Sequence, residues 1–403
     1  MKILIVGAGI AGLTAAAFCA KENDGAEICV LEAASTPGGL VKGRWKDGFY
    51  LDQGVRAFED AGILKPILRS LELDVPFLPN PVSLVVGDAV VMYHSITDLS
   101  AFLDVMVQRF PTERAAIHAI GDEIRRVSEY IGFVYSVDSP LFDEGKRDLA
   151  SLKEMLPWLI KYPRVRSVDP AQKRCVVDAE GVEASYPYDV LIWAGDPRPL
   201  QAAHVIAKQG HRQPTESVLT CSVGLRRRPE TFSATVPSHA FWTPRVDGIS
   251  VLGPFPRSRD VQSSDVSAMA RWLAAYLERT TFEISIPALR NLALAPDEAT
   301  GVILSTILHQ DVERAFVAAG AKDTFDAVVR DGFHQILERL VPQFTDDLLF
   351  ESYTTPCDLE AYTLNAGGAI SGCHVDPTAS QASLVHAVGT GDPAIFQAGQ
   401  WVV

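Results

Sequence analysis

Residues 2–39 read KILIVGAGIAGLTAAAFCAKENDGAEICVLEAASTPGG, and no other stretch limits the fold so tightly. Lys2–Val6 is a short apolar run that stops at Gly7, the pattern of a buried parallel strand. Gly7, Gly9 and Gly12 then form G-x-G-x-x-G, with Ile10 and Ala11 between the last two. From Ile10 to Glu22 the residues are good helix formers, with Ile10, Leu13, Ala16 and Ala17 on one helical face. Ala26–Leu31 reads as a second strand, and Glu32 ends it twenty positions after Gly12. Strand, glycine turn, helix, strand and acid in this order form a βαβ unit of the dinucleotide-binding type. Gly7 serves the tight turn, Gly9 lets a pyrophosphate approach the backbone, and Gly12 lets helix and strand pack closely. The helix N-terminus offers free N–H groups and a partial positive charge to phosphates. Glu32 is suited to accept hydrogen bonds from ribose hydroxyls, and its charge repels a 2′-phosphate.

The length of 403 residues predicts two or three domains with a large core. A net charge of −14 argues against a nucleic-acid surface, and the short Arg226-Arg227-Arg228 run reads as a solvated strand end. The six cysteines are scattered, with no C-x-x-C and no Cys/His spacing for zinc, so no metal site is expected. That usage fits a reducing cytoplasm. The chain enters its first strand at once, so no signal peptide is expected. No run approaches the ~18 apolar residues needed to span a bilayer.

Further along, Ile63–Leu73 and Leu99–Arg109 have helical patterns, with a strand-like run at Val82–Val91. Residues 113–135 and 145–160 also read as helices. Phe102, Leu103, Val105, Met106, Phe110, Ile117, Ile120, Ile124, Val127, Tyr130, Ile131 and Phe133 form an apolar set. It suits a helical core that doubles as a cap over a lipophilic cavity. Val165–Val168, Cys175–Val177 and Tyr188–Ala194 are strand-like, as are parts of 217–255, Phe282–Pro287 and Gly301–Leu308. Residues 265–280 and Asp323–Leu340 are helical. Among the dispersed histidines, His94, His239 and His374 accompany strand-like segments, and a structural role is the expectation for each. Arg56 is expected either to touch phosphate or to pair with an acid. No residue is singled out as catalytic. G-x-S-x-G, H-E-x-x-H and a P-loop are all absent from the sequence.

Read together, Gly7-x-Gly9-x-x-Gly12, Val30-Leu31-Glu32-Ala33, Gly38-Gly39 and Gly48-Phe-x-x-Asp52-x-Gly54 resemble an extended FAD signature, that of the flavin amine oxidase and phytoene desaturase superfamily. An NAD-type fingerprint would stop near Glu32. Thr354-Thr-Pro-Cys-Asp-Leu-Glu360 with Asn365-Ala-Gly-Gly-Ala-Ile-Ser-Gly372 resembles the carotenoid desaturase, carotenoid isomerase and retinol saturase branch. Asp189–Asp196 resembles the family's return strand into the FAD domain, and Ala394–Trp401 its last FAD motif.

The resemblance implies FAD as cofactor and an α/β fold. A Rossmann-like FAD-binding domain of the glutathione-reductase type would stand beside a mixed-sheet substrate domain with a helical cap. It divides the FAD domain into residues 1–70, 161–205 and 362–403, and the substrate domain into 71–160 and 206–361. The implied cofactor contacts are Gly7, Gly9, Ile10, Ala11, Gly12, Glu32, Ala33, Gly38, Gly39, Val165, Ala194, Gly195, Gly399 and Gln400.

The implied activity is flavin hydride chemistry on C–C bonds of a long isoprenoid, with peripheral membrane contact. One alternative is an amine-oxidase-type enzyme acting on a small amine. Two departures motivate a third reading, a catalytically reduced relative. Lys161-Tyr162-Pro163 runs directly into Arg164 where the family has a glycine pair and a helix. After Gly399-Gln-Trp the family continues with a glycine-rich turn and a helix, and this sequence ends at Val403.

Overall fold

The computed structural model describes residues 1–52, 54–58, 64–134, 174–179, 182–187, 190–194, 214–232, 238–256, 265–372 and 395–397. The expectations for Val165–Val168, Gly195, Gly399, Gln400, His374 and the 145–160 helix lie outside these residues.

The glycine-rich stretch folds as β1 (Lys2–Val6), α1 (Ile10–Glu22) and β2 (Glu27–Leu31). β1 and β2 pair in parallel, Ile5 opposite Val30. Ile3, Leu4 and Ile5 are buried, as a central parallel strand requires. The chain then makes the antiparallel hairpin β3 (Gly43–Lys46) and β4 (Phe49–Asp52), followed by α2 (Leu64–Ser70).

The run read as one strand at Val82–Val91 is two: β5 (Val82–Val86) and β6 (Ala89–Tyr93) pair antiparallel around the Gly87-Asp88 turn. α3 (Leu99–Arg109) and α4 (Arg114–Val134) follow. They meet where Gly121 lets Leu103 in, because a Cβ on Gly121 would stand 2.3 Å from the Leu103 Cδ1. Leu103 is buried there, while Ile120 and Ile124 on α4 are exposed.

β7 (Arg174–Ala179) and β8 (Val182–Pro187) form a separate hairpin. β9 (Val190–Trp193) returns to pair in parallel with β1 on the side opposite β2. The chain next builds β10 (Ser217–Leu225), β11 (His239–Thr243), α5 (Val266–Leu277), β12 (Phe282–Ser285) and β13 (Thr300–Leu308). α6 (Gln310–Ala318), α7 (Lys322–Leu340), β14 (Leu348–Thr354) and α8 (Pro356–Thr363) come after these, and β15 (Ile395–Gln397) is last.

Two main sheets result. The first is four-stranded and all parallel, in the order β15-β9-β1-β2. The second is seven-stranded, in the order β14-β10-β13-β12-β11-β5-β6, and it is mixed because β5 joins β11 in parallel. Alternation divides the second sheet's faces. Cys221, Leu304, Ile284 and Ala240 point to one side, into a core filled by Phe316, Phe325, Phe333 and Phe344 under α5 and α7. Burying each such phenylalanine contributes roughly 1.5–3 kcal/mol. The close approach of those helices depends on Gly332, where a Cβ would stand 2.6 Å from the Leu277 Cδ1.

The opposite face receives β4. Phe49 and Leu51 pack on Ile303 and Ala299, with the Phe49 ring 5.2 Å from Phe350. The βαβ stretch is thereby fastened to the second sheet through β4. Among the described residues, no helix is long and apolar enough to cross a membrane.

Candidate functional site

The turn between β1 and α1 is shaped by backbone contacts that only glycine permits. A Cβ on Gly12 would lie 1.8 Å from the Gly7 carbonyl oxygen and 3.4 Å from the Ala194 Cβ at the end of β9. Gly9 caps α1 in an extended conformation, and neither a side-chain cap nor an acidic residue fills the first helical turn. Its N–H groups are therefore left for an anion.

The loop after β2 comes back to the same place. Gly38 donates its N–H to the Ala8 carbonyl at 2.8 Å and forms a parallel bridge with Gly9. Gly38 and Gly39 have φ of +120° and +54°, and a Cβ on Gly39 would stand 3.1 Å from the Gly9 Cα. Two glycine turns thus lie back to back, and side chains at either would fill the space beside the α1 N-terminus. This is a cradle suited to the phosphates of a dinucleotide.

Glu32 is exposed, and its carboxylate braces the turn: Oε2 accepts the Ala8 N–H at 2.7 Å and Oε1 the Ala34 N–H at 2.8 Å. Each oxygen keeps a second lone pair for a hydroxyl. Ile10 and Ala33 are exposed, whereas Ala11 and Ala194 are half-buried. The structure therefore brings together Gly7, Gly9, Ile10, Ala11, Gly12, Glu32, Ala33, Gly38, Gly39 and Ala194. Val165, Gly195, Gly399 and Gln400 lie outside the described residues.

A second cluster adjoins the cradle. Val55 donates its N–H to the Leu40 carbonyl at 2.9 Å, so the segment after β4 lies against the glycine pair. Arg56 then enters the β4-facing side of the second sheet, its side chain 3% exposed. Its Nη1 is 2.8 Å from Glu283 Oε2, and its Nη2 donates to Ser305 Oγ, which shares a hydrogen bond of 2.7 Å with Thr220 Oγ1. Glu283 Oε1 is 2.8 Å from His239 Nε2, and Asn80 Nδ2 is 3.1 Å from His239 Nδ1. The Asn80 amide nitrogen can only donate, so His239 Nδ1 accepts, and Nε2 carries the hydrogen given to Glu283. Ser238 Oγ completes the chain by donating to Asn80 Oδ1 at 2.9 Å. Alongside, Arg290 Nη2 donates to Asp52 Oδ2 at 3.1 Å and to Ser285 Oγ at 3.1 Å.

The electrostatics follow from burial. Burial pushes the Asp52 carboxyl up, against the charges of Arg290 and Arg56. Glu283 feels the same burial, but the His239 hydrogen bond and the Arg56 charge outweigh it and hold its carboxyl below the ordinary range. Burial lowers the Arg56 guanidinium, and Glu283 resists that shift. The buried Arg56 Nε and Arg290 Nη1 have no hydrogen-bond acceptor among the described residues. Such unmet donors are costly, and both atoms are closed to solvent.

Sequence reasoning left Arg56 between phosphate and acid, and the structure pairs it with an acid. It missed Glu283, Ser305 and Arg290, and it named Asp52 only within the glycine signature. The alternation in Phe282-Glu-Ile-Ser285 was the available signal, because it sets Glu283 and Ser285 on the face opposite the core. His239 is buried and fully bonded, while His94 is an exposed partner of Asp98. Arg227 and Arg228 in the basic run are tied to Asp347 and Glu298.

Comparison with known proteins agrees with this geometry. A family model described as an NAD(P)-binding Rossmann-like domain matches residues 5–71. A coproporphyrinogen III oxidase from Staphylococcus aureus is 30% identical over 74 residues, which is 18% of this chain and only 15% of that protein. An oxidoreductase structure from Methanosarcina mazei superposes with a TM-score of 0.55 at 13% identity, covering 100% of this chain and 95% of that one. A putrescine oxidase with bound putrescine gives 0.53 at 14% identity, covering 98% and 93%.

The fold is the mixed α/β architecture expected from sequence. A Rossmann-like dinucleotide-binding domain stands beside a mixed sheet, a fold shared with the Methanosarcina mazei oxidoreductase and the putrescine oxidase. With the cradle's geometry, the family match supports a dinucleotide as the cradle's ligand.

Proposed function

We propose that the chain is an FAD-dependent oxidoreductase that oxidises a polar organic substrate beside the Arg56–Glu283–His239 cluster. One observation carries this reading. The path from cradle to cluster is unbroken, because Gly39 abuts Gly9, Leu40 holds Val55, and Arg56 pairs with Glu283. In this reading Gly7–Gly12, Gly38 and Gly39 hold the cofactor's phosphates, Glu32 takes ribose hydroxyls, and Ala33 and Ala194 border them. Val165, Gly195, Gly399 and Gln400 complete the set by resemblance.

Bound FAD supplies a hydride acceptor, so the redox step is the cofactor's. The chain's task is to orient the substrate and keep water out. The charged groups of the cluster, of which Glu283 is partly exposed, favour a substrate with charged or hydrogen-bonding groups. This supports the amine-oxidase-type alternative, and the shared fold with a putrescine oxidase agrees with it.

The isoprenoid reading draws on the segments around Thr355 and Gly367, and both have local structural work. Thr355 and Asp358 form the capping box of α8. A Cβ on Gly367 would overlap the Gln310 side chain, and one on Gly368 would lie 2.5 Å from the Pro356 oxygen. One observation keeps that reading as the second, with its peripheral membrane contact: Ile120 and Ile124 stand exposed on α4.

The test is to titrate the purified protein with FAD and record the flavin spectrum. The holoprotein is then assayed for peroxide release from a panel of amines and for conversion of a polyene in lipid vesicles. Flavin binding followed by amine-dependent peroxide is the expected result. Absence of bound flavin would sink the oxidoreductase reading, and polyene turnover without amine turnover would replace the substrate class.

A further inference from the structure

A cleft of about 460 Å³ opens beside the Ala33–Thr36 loop, lined by Ser35, Thr36, Lys42, Arg44 and Tyr362 among others. Neither Gly7–Gly12 nor the Gly38-Gly39 pair belongs to its described lining. Its described lining shares Ala33 with the cofactor contacts and none of the cradle's glycines.

Its charge is unusual for this molecule. The chain carries −14 overall, yet this cleft holds two cations two residues apart on β3 and its approach, and neither has a carboxylate partner among the described residues. Lys42 Nζ donates to the Thr36 carbonyl at 3.2 Å and to Thr36 Oγ1 at 3.0 Å, and it lies 4.6 Å from the centre of the Tyr362 ring. Arg44 Nη2 donates to Ser352 Oγ at 3.0 Å. All these partners are neutral. An ammonium has three donors and a guanidinium five, so one on Lys42 and four on Arg44 are left over. Both side chains are half-buried and held in place, so presenting their charges to a ligand costs little ordering entropy.

We propose that this cleft is an anion site that takes a phosphate-bearing small molecule distinct from the dinucleotide in the cradle. Arg44 supplies a planar fork for two phosphate oxygens, Lys42 a point charge, and the Ser35 and Thr36 hydroxyls neutral donors at the rim. The volume admits a phosphate or pyrophosphate with a small organic group attached. The inference rests on two cations that have no carboxylate partner among the described residues, and it holds whatever the redox substrate is.

The experiment uses the full chain saturated with FAD. Inorganic pyrophosphate is added against a chloride control of matched ionic strength, and the unfolding midpoint is followed. A ligand that binds only the native state must raise the midpoint, here by about 2 °C at roughly ten times its Kd. The expected result is a saturable rise in the wild type that is lost in the Lys42→Met/Arg44→Met variant and regained in Lys42→Arg. The FAD affinity of all three forms should agree within about twofold. No rise, or an equal rise in the double variant, overturns the proposal. Competition between pyrophosphate and FAD, or a tenfold loss of FAD affinity in the double variant, also overturns it, because the cleft would then belong to the cofactor's own phosphates.

Discussion

Arg56 Nη1 and Glu283 Oε2 stand 2.8 Å apart across the junction between the segment after β4 and the second sheet, although 227 positions separate them in the chain. Removing one member of a buried ion pair leaves the other uncompensated and costs about 3–5 kcal/mol. Arg56→Met should therefore lower the urea midpoint strongly. Arg56→Met/Glu283→Gln should recover a good part of the loss, since the glutamine oxygen still accepts from His239 and no uncompensated charge is left. Equal stability of the two variants would show that the pair does not couple.

The cradle makes a steric prediction. Gly12→Ala sets a methyl group 1.8 Å from the Gly7 oxygen, so β1 and α1 must separate at a cost of roughly 1–3 kcal/mol. FAD affinity should fall at least tenfold by flavin fluorescence titration. Gly253→Ala, at a glycine with open space around it, should leave that affinity unchanged. A Gly12→Ala variant that bound FAD normally would refute the proposed cofactor path.

The acid side of the stability curve should carry opposed contributions. The Glu283 carboxyl is held below its ordinary value of 4.5, so in that interval the unfolded chain binds the extra proton. Its contribution is present above 4.5 and is lost as pH falls through the folded-state value. Asp52 is raised above 3.8, so there the folded chain binds the extra proton, and stability falls as pH rises through that interval. Glu283→Gln should flatten the acid loss in urea titrations over about pH 3–6, and Asp52→Asn should steepen it. Identical slopes in wild type and Glu283→Gln would refute this assignment.

Thr355 accepts the Asp358 N–H at 3.3 Å, and Asp358 Oδ2 accepts the Thr355 N–H at 2.9 Å. Thr355→Ala should cost about 1 kcal/mol of stability, and Thr355→Ser should restore it. Neither change should alter FAD binding. A flavin spectrum that shifted with Thr355→Ala would give this residue a role beyond its cap.

The βαβ unit was legible because its signals are local. Glycine spacing, helical periodicity and strand apolarity all fall within 31 residues, and β1, α1 and β2 need no distant partner to be read. The β5–β6 hairpin was hidden because apolar residues run up to Gly87-Asp88 on both sides, and a two-residue turn leaves little trace in such a run. The Arg56–Glu283–His239 cluster was hidden for another reason. Its members come from three chain regions, and only the register Phe241↔Glu283 and Glu283↔Ser305 brings them onto one face. The cap also reads differently in three dimensions. Leu103 is core against Gly121, while Ile120 and Ile124 from the same apolar set face outward.

The parallel sheet sets an order of events during synthesis. β1 and β2 leave the ribosome early, but the neighbour on the other side of β1 is β9, and that of β9 is β15 at residues 395–397. The cradle must therefore wait with β1 unpaired along one edge while roughly 160 further residues are made, a matter of about ten to thirty seconds at ordinary translation rates. During that wait Ile3 and Ile5 belong to an open edge, the kind that recruits other chains. Pairing with β9 then closes β1 but passes the open edge to β9, so chaperone dependence should persist until β15 is made near the end of synthesis.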